Sequence, residues 1–108
     1  MDMEQAIAKL KTAIIDDYRG FGSGPYYEDQ IAKMESGEIL THSEGKKYIK
    51  IVSNGSVWGF IVNCHDDAKF KYGDILKGAS WNTPARNQAR GNVFGDYNIQ
   101  WTGPLYLK

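Results

Sequence analysis

The residues best suited to chemistry lie between Ser80 and Asn92. Arg86 and Arg90 offer forked donors for a phosphate or a carboxylate, and Trp81 offers a flat face on which a base or a guanidinium can stack. The surrounding stretch, residues 78–92, has no obvious periodicity, and long loops in small domains are often functional. We therefore predict an anion-binding site here. Its predicted residues are Trp81, Asn82, Arg86, Asn87, Arg90 and Asn92, with Lys69, Lys71 and Lys77 as secondary contributors.

The charge of the chain is segregated, although the formal net charge is zero. Residues 1–45 carry nine carboxylates against four bases, a net charge of −5, and residues 46–108 carry nine bases against four carboxylates, a net charge of +5. A basic surface of this kind attracts an anion or an acidic protein. The alternative is that Arg86 and Arg90 pair with the acidic helices of the same chain and only hold the loop.

Cysteine and histidine offer a second kind of chemistry, because Cys64-His65 and His42 could form a nucleophile–base pair or part of a metal site. Neighbouring residues of an extended chain point to opposite faces, so Cys64 and His65 are poorly placed to act together. We predict that Cys64 is a small buried hydrophobe, that both histidines lie at the surface and that Asp66-Asp67 forms a solvated turn. The sequence predicts no metal and no cofactor.

Two helices are predicted to precede the strands. Asp2 and Gln5 have the spacing of a capping box, and the pattern predicts a helix over residues 3–19. Pro25 suits a first helical position, and Gly37 suits the end of a helix over residues 25–36. The apolar stripe of the first helix consists of Met3, Ile7, Leu10, Ile14 and Tyr18.

A β-hairpin centred on Asn54-Gly55 follows, because both central residues of a type I′ turn need a positive φ. A regular register would pair Val52 with Val57, Ile51 with Trp58 and Ile49 with Phe60. The core face would then carry Ile49, Ile51, Trp58 and Phe60, and the other face would carry Tyr48, Val52, Val57 and Ile61. Since both faces are apolar, we expect the hairpin to be covered on both sides.

Further strands are predicted at residues 70–77, with a bend at Gly73-Asp74, at residues 97–101, and at residues 105–107 after a turn at 102–104. Trp101 is predicted to be a core residue. The fold class is α+β: two N-terminal helices packed on a mostly antiparallel sheet or small barrel of four to five strands. Residues 1–108 form a single domain, helical over 1–37 and β-rich over 38–108.

Several classes of protein are disfavoured. A single cysteine excludes an intramolecular disulfide, and no apolar run reaches the roughly 18–20 residues of a membrane span. The acidic start, Met1 to Glu4, lacks the features of a signal peptide. We expect a soluble protein of the cytoplasm.

The β part also carries a resemblance. The strings Lys47–Val52, Ser56–Val62, Gly73–Lys77, Ala79–Trp81, Ala89–Asn92 and Trp101–Pro104 resemble small uncharacterised proteins of tailed phages and environmental viral sequences. The resemblance covers residues 46–108, is weaker over the helices, and implies a phage-type accessory protein without implying an active site.

Three functions compete at this stage. The first is a non-enzymatic binding module whose loop 80–92 engages an anionic partner, which could be a nucleic acid, a nucleotide or an acidic protein. The second is a small enzyme for a phosphorylated or nucleotide substrate, in which Asp74 or His65 moves protons; the competing role for Asp74 is capping a turn. The third is a self-associating structural protein, in which the acidic helices of one copy meet the basic part of another.

Overall fold

The computed structural model describes residues 1–105. Helix α1 spans Met3–Phe21 and helix α2 spans Pro25–Glu35, so both predicted helices are confirmed. The capping box is present: the Asp2 carboxylate accepts the Gln5 backbone N–H at 2.8 Å, and the Gln5 side chain accepts the Asp2 N–H at 3.0 Å. Within residues 1–105, no helix has the length and apolar character needed to cross a membrane.

The main sheet has four antiparallel strands in the order β1-β2-β3-β4. These strands are β1 (Leu40–Glu44), β2 (Tyr48–Ser53), β3 (Ser56–Val62) and β4 (Ile75–Leu76). Two short hairpins follow: β5 (Gly78–Ser80) pairs with β6 (Thr83–Pro84), and β7 (Asn98–Gln100) pairs with β8 (Gly103–Leu105). The α+β fold class is therefore confirmed.

The central hairpin turns at Asn54 and Gly55, whose φ angles of 50° and 81° confirm the predicted turn. Its predicted register is correct at Val52 and Val57 but wrong beyond them, because the pairing shifts at a β-bulge after Ile51. The extra residue of the bulge is Trp58, which has no direct partner on β2.

The bulge exchanges the faces of the residues that follow it. Ile51 pairs with Gly59, and Ile49 pairs with Ile61 instead of Phe60. Ile61 consequently joins Ile49, Ile51 and Trp58 on the side that packs against α1, and Phe60 lies on the opposite side.

The sheet is covered on both sides, as predicted from its two apolar faces. The helix-side core joins the buried stripe of α1 to the β-strand residues Ile49, Ile51, Ile61 and Ile75. The outer core, on the opposite face, consists of Phe60, Val62, Phe70 and Leu76, with Tyr48, Val57, Cys64 and Ala89 packed around them.

The C-terminal strands are shorter than predicted. The strand expected at residues 70–77 is reduced to β4, because the positive φ of Gly73 (90°) makes a turn just before it. The turn expected at 102–104 lies at Trp101-Thr102, so β8 begins at Gly103. Of the strand expected at 105–107, Leu105 ends β8 and residues 106 and 107 lie outside the described part of the chain.

The two tryptophans assigned to strands are placed differently. Trp58 is buried, as predicted, and its indole Nε1 donates a hydrogen bond to the Gln100 carbonyl at 2.9 Å. Trp101 is half-buried against the helix-side core, and its backbone N–H donates to the Asp17 carboxylate at 2.8 Å. These two bonds attach the β7–β8 hairpin to the main sheet and to α1.

Candidate anion-binding face

The segment from Lys77 to Ala89, called here the covering segment, lies over the outer core. It is closed by a hydrogen bond from the Ala85 N–H to the Lys77 carbonyl at 2.7 Å. It approaches the sheet so closely that a Cβ at Gly78 would lie 2.8 Å from Val57. Much of the predicted loop is therefore a structural layer, and it contains the β5–β6 hairpin that the sequence pattern did not reveal.

Arg86, in the covering segment, is anchored by the carboxylate of Asp67 in the loop that follows β3. Its guanidinium forms two hydrogen bonds with Asp67, at 2.9 and 3.0 Å, donates a third to the Tyr48 hydroxyl, and lies 4.9 Å from the centre of the Phe70 ring. Arg86 thus pairs with the loop that follows β3, and not with the acidic helices.

Asp67 is the buried partner of this ion pair, since only 1% of its side chain is exposed. The guanidinium of Arg86 and the backbone N–H groups of Lys69 and Phe70 hold the pKa of Asp67 well below its usual range. The prediction of a solvated Asp66-Asp67 turn is therefore wrong for Asp67, although Asp66 is exposed.

Arg90 is buried, with 9% of its surface exposed. Its Nη1 donates to the Pro104 carbonyl at 3.1 Å, and its backbone N–H donates to the Ile75 carbonyl at 2.7 Å. Its side chain therefore contacts β8 and its backbone contacts β4, so Arg90 is part of the packed fold.

Asn92 and Asp74 act together in a turn. The Asn92 amide donates to the Tyr72 carbonyl at 2.9 Å and to the Asp74 carboxylate at 3.0 Å, and its oxygen accepts the Phe94 N–H. The other oxygen of Asp74 accepts the Lys71 N–H at 2.9 Å. Asp74 therefore has the geometry of a turn-capping residue, which is the predicted alternative to a role as a general base.

The part of the predicted site that faces solvent is centred on Trp81, which is 52% exposed at the turn of the β5–β6 hairpin. The Lys50 ammonium lies 4.5 Å from the centre of its ring and donates to the Asn82 side-chain oxygen at 2.8 Å. Lys50 is not among the residues predicted from the sequence. Its position on β2, alternating with Tyr48 and Val52, was the signal that could have placed it beside the covering segment.

We call the surface formed by Trp81, Lys47, Lys50, Lys69 and Arg86 the basic face. The Lys69 ammonium donates to the carbonyls of Arg86 and Asn87, at 2.6 and 2.9 Å. Lys47 lies 3.8 Å from Asp67. Within residues 1–105, neither Lys50 nor Lys69 has a carboxylate oxygen within 4.0 Å.

Of the remaining predicted residues, Asn87 adjoins the basic face, because its carbonyl accepts from the Lys69 ammonium. Asn87 is exposed, and its side-chain oxygen accepts the Gln88 N–H at 2.9 Å. Lys71 and Lys77 are also exposed. The structure thus brings Trp81, Asn82 and Arg86 to the outer face, whereas Arg90 and Asn92 support the fold.

Cysteine and histidine are not brought together. Cys64 is half-buried against the outer core, while the exposed His65 ring stacks on Tyr72 with ring centres 4.1 Å apart. His42 is exposed and accepts a hydrogen bond from the Lys11 ammonium at 2.7 Å. In residues 1–105, no three His, Cys, Asp or Glu side chains are grouped so that they could hold a metal ion.

No family model, curated protein or solved structure matches this chain, so the geometry above carries the functional argument.

Proposed function

We propose that this protein is a non-enzymatic binding module that holds a single-stranded nucleic acid on its basic face. The observation that carries the proposal is the half-exposed indole of Trp81, which is flanked by the Lys50 ammonium on a surface where cationic groups outnumber carboxylates. In this proposal the module is an accessory protein of a tailed phage and acts in the cytoplasm of the host.

A stacking platform must be presented rigidly. Trp81 lies in the two-residue turn between the paired residues Ser80 and Thr83, and the Lys50–Asn82 hydrogen bond ties that turn to β2. Base–aromatic stacking tolerates any base, because every base has a π-face. The geometry therefore favours a single strand, whose bases are free to stack, over a duplex.

Phosphate groups need positive charge around the platform. The ammonium groups of Lys50 and Lys69 donate to neutral oxygens, so their charges attract phosphates without being cancelled by a local carboxylate. Arg86 forms two hydrogen bonds with Asp67, so it contributes mainly to holding the covering segment in place. The proposed contacts are thus made by lysines more than by the arginines.

Catalysis is less well supported by the contacts. The two residues considered for proton transfer, His65 and Asp74, are respectively stacked on Tyr72 and hydrogen-bonded within a turn. A binding role uses the exposed groups as they stand, which is why we favour it.

The test measures fluorescence anisotropy of a labelled oligothymidylate at about 50 and 200 mM salt. Trp81→Ala should weaken binding roughly 5- to 150-fold, the equivalent of one lost base stack of about 1–3 kcal/mol. Lys50→Gln should reduce the slope of log K against log salt by about 0.7. The matched control is Lys9→Gln, which removes an exposed lysine from α1 and should change neither quantity.

The proposal fails if wild-type protein does not bind the oligonucleotide at the lower salt concentration, or if Trp81→Ala and Lys50→Gln bind as tightly as wild type. Binding of a mononucleotide or an acidic peptide alone, with dependence on Trp81, would assign the face to that class of anion and exclude nucleic acid.

A further inference from the structure

An open cleft of about 250 Å³ lies on the helix side of the molecule, where α1 ends and α2 begins. The hairpin turn at Asn54 and the β7–β8 turn at Trp101 complete its wall. We call it the aromatic cleft, because its lining includes the five aromatic side chains Tyr18, Phe21, Tyr26, Tyr27 and Trp101.

The rings of the aromatic cleft support one another. Trp101 meets Tyr18 edge-on and Phe21 at a tilt, with ring centres 5.1 Å apart in both cases, and Tyr27 lies 6.2 Å from Phe21. Gly22 makes this possible, because a Cβ there would lie 2.4 Å from the Tyr27 ring. The arrangement is thus preformed by the fold.

Two of these rings nevertheless face solvent: Phe21 is 60% exposed and Tyr26 is 66% exposed. Large exposed aromatic side chains grouped around a concave surface are typical of binding sites.

In the described part of the chain, cations of the same chain lie over aromatic rings on the side of the basic face, but not over those of this cleft. On the other side of the sheet, Tyr48, Phe70 and Trp81 each have a lysine or arginine of the same chain over the ring, 4.5–5.7 Å from its centre. Within residues 1–105, no cation lies over any of the five rings of the aromatic cleft in this way. The two exposed rings, Phe21 and Tyr26, can receive a cation from outside.

The electrostatic surroundings also favour a cation. Seven of the cleft's ten lining residues belong to the acidic segment 1–45, which carries a net charge of −5. Asp17 lines an adjoining depression that shares Phe21 and Trp101 with the aromatic cleft, whereas its neighbour Asp16 is paired with Arg19 at 2.7 Å. The C-terminal end of α1, at Phe21, adds the partial negative charge of a helix dipole.

We propose that the aromatic cleft binds a lysine or arginine side chain presented by a partner protein. Its volume is below the roughly 300–1,000 Å³ typical of sites for larger small molecules, and it suits a group the size of one side chain. Phe21 and Tyr26 extend beyond it and provide surface for the neighbouring residues of the partner. This site is separate from the basic face and would take a ligand of the opposite charge.

The experiment uses the full chain with Trp81→Phe, which removes the exposed indole of the basic face. Trp58 is buried, so changes in tryptophan fluorescence then report on Trp101. The probe is a short glycine–serine peptide with one central arginine, and its control is the same peptide with citrulline, which has nearly the same shape but no charge. We expect saturable binding of the arginine peptide and at least about tenfold weaker binding of the citrulline peptide.

Variants of the cleft test its location. Phe21→Ser and Tyr26→Ala remove exposed rings, so the protein should remain folded, and each should weaken binding of the arginine peptide about fivefold or more. The matched control is Phe94→Ser, which removes an exposed ring that stacks on Tyr72 elsewhere in the molecule. This variant should bind the peptide as the parent does.

Equal binding of the two peptides, or binding unchanged by Phe21→Ser and Tyr26→Ala, would overturn the proposal. Binding of tetramethylammonium without binding of the peptide would assign the cleft to a free cation instead. A dimer seen by ultracentrifugation and lost in Phe21→Ser would identify the occupant as a second copy. Because the parent protein lacks Trp81, these outcomes are independent of the test of the basic face.

Discussion

Replacing Trp58 by Phe should lower the free energy of unfolding by about 1–3 kcal/mol. Trp58 is the extra residue of the bulge in β3, is buried in the helix-side core, and donates from its indole to the Gln100 carbonyl at 2.9 Å. This bond connects residues that are 42 positions apart in the chain. The substitution keeps an aromatic ring in the core but removes the donor.

The expected magnitude has two parts. A hydrogen bond of this kind contributes about 0.5–1.5 kcal/mol net, and the Gln100 carbonyl can regain a water molecule because its residue is exposed. The smaller ring leaves a void of at least a methyl group, which costs about 1 kcal/mol. The total is a substantial part of the roughly 5–15 kcal/mol that stabilises a domain. Trp58→Ala should cost more, about 3–5 kcal/mol.

Urea unfolding followed by far-UV circular dichroism measures this change, and Trp81→Phe is the control because its indole is half-exposed. In Trp58→Phe, amide hydrogens of the β7–β8 hairpin should also exchange faster, while those of the β1–β2 pair should be unaffected. The link between the bulge and the β7–β8 hairpin would be refuted if Trp58→Phe and Trp81→Phe had the same urea midpoint and the same m-value.

Two further predictions concern the ion pair and a glycine. Because the folded-state pKa of Asp67 is depressed, its contribution to stability is present above its unfolded pKa of about 3.9 and is lost as the pH falls toward the folded value. Asp67→Asn should therefore lower the urea midpoint relative to wild type, and the lowering should be larger at pH 7 than at about pH 3. An equal lowering of the midpoint at both pH values would contradict this reasoning. Gly91 has a φ of 124°, and a Cβ there would lie 2.6 Å from the Asp96 carbonyl, so Gly91→Ala should cost about 1–3 kcal/mol in thermal unfolding. Gly95→Ala, with no atom within 4 Å of the new Cβ, should be nearly neutral, and similar losses in both variants would refute the steric argument.

Local signals accounted for the parts of the fold that the sequence predicted well. The Asp2–Gln5 capping box and the apolar stripe determine α1 through residues that are close in sequence. Asn54-Gly55 determined the turn because few residue pairs adopt two consecutive positive φ angles.

The register beyond Val52 was not predictable in the same way. Because the hairpin is apolar on both faces, the one-residue shift at Trp58 merely exchanges Phe60 for Ile61 on the core side. Alternation of polar and apolar residues could therefore not reveal the bulge. The extra residue of the bulge, Trp58, donates to Gln100 of the β7–β8 hairpin, a contact between distant parts of the sequence that local alternation does not encode.

The sequence indicated which residues belong to the candidate site but not which of them support the fold. The sequence indicated Trp81 and the two arginines, yet the buried carboxylate that engages Arg86 lies 19 residues before it and the carbonyl that accepts from Arg90 lies 14 residues after it. Charge alone does not distinguish an arginine that supports the fold from one that meets a ligand. The exposed lysine that the structure adds, Lys50, belongs to a strand outside the predicted loop.

The covering segment closes the outer core and also carries residues of the proposed binding site, which determines which substitutions can separate binding from folding. Replacing Arg86 or Arg90 removes hydrogen bonds to Asp67 or Pro104, so a loss of binding in such variants would not identify a ligand contact. Trp81 is half-exposed, and the Lys50 ammonium lies over its ring and donates to the Asn82 side-chain oxygen. Substitutions at these two positions keep the bonds to Asp67 and Pro104, so the outer core stays closed. The affinity of Trp81→Ala then tests stacking, and the salt slope of Lys50→Gln tests the charge independently of the bond to Asn82.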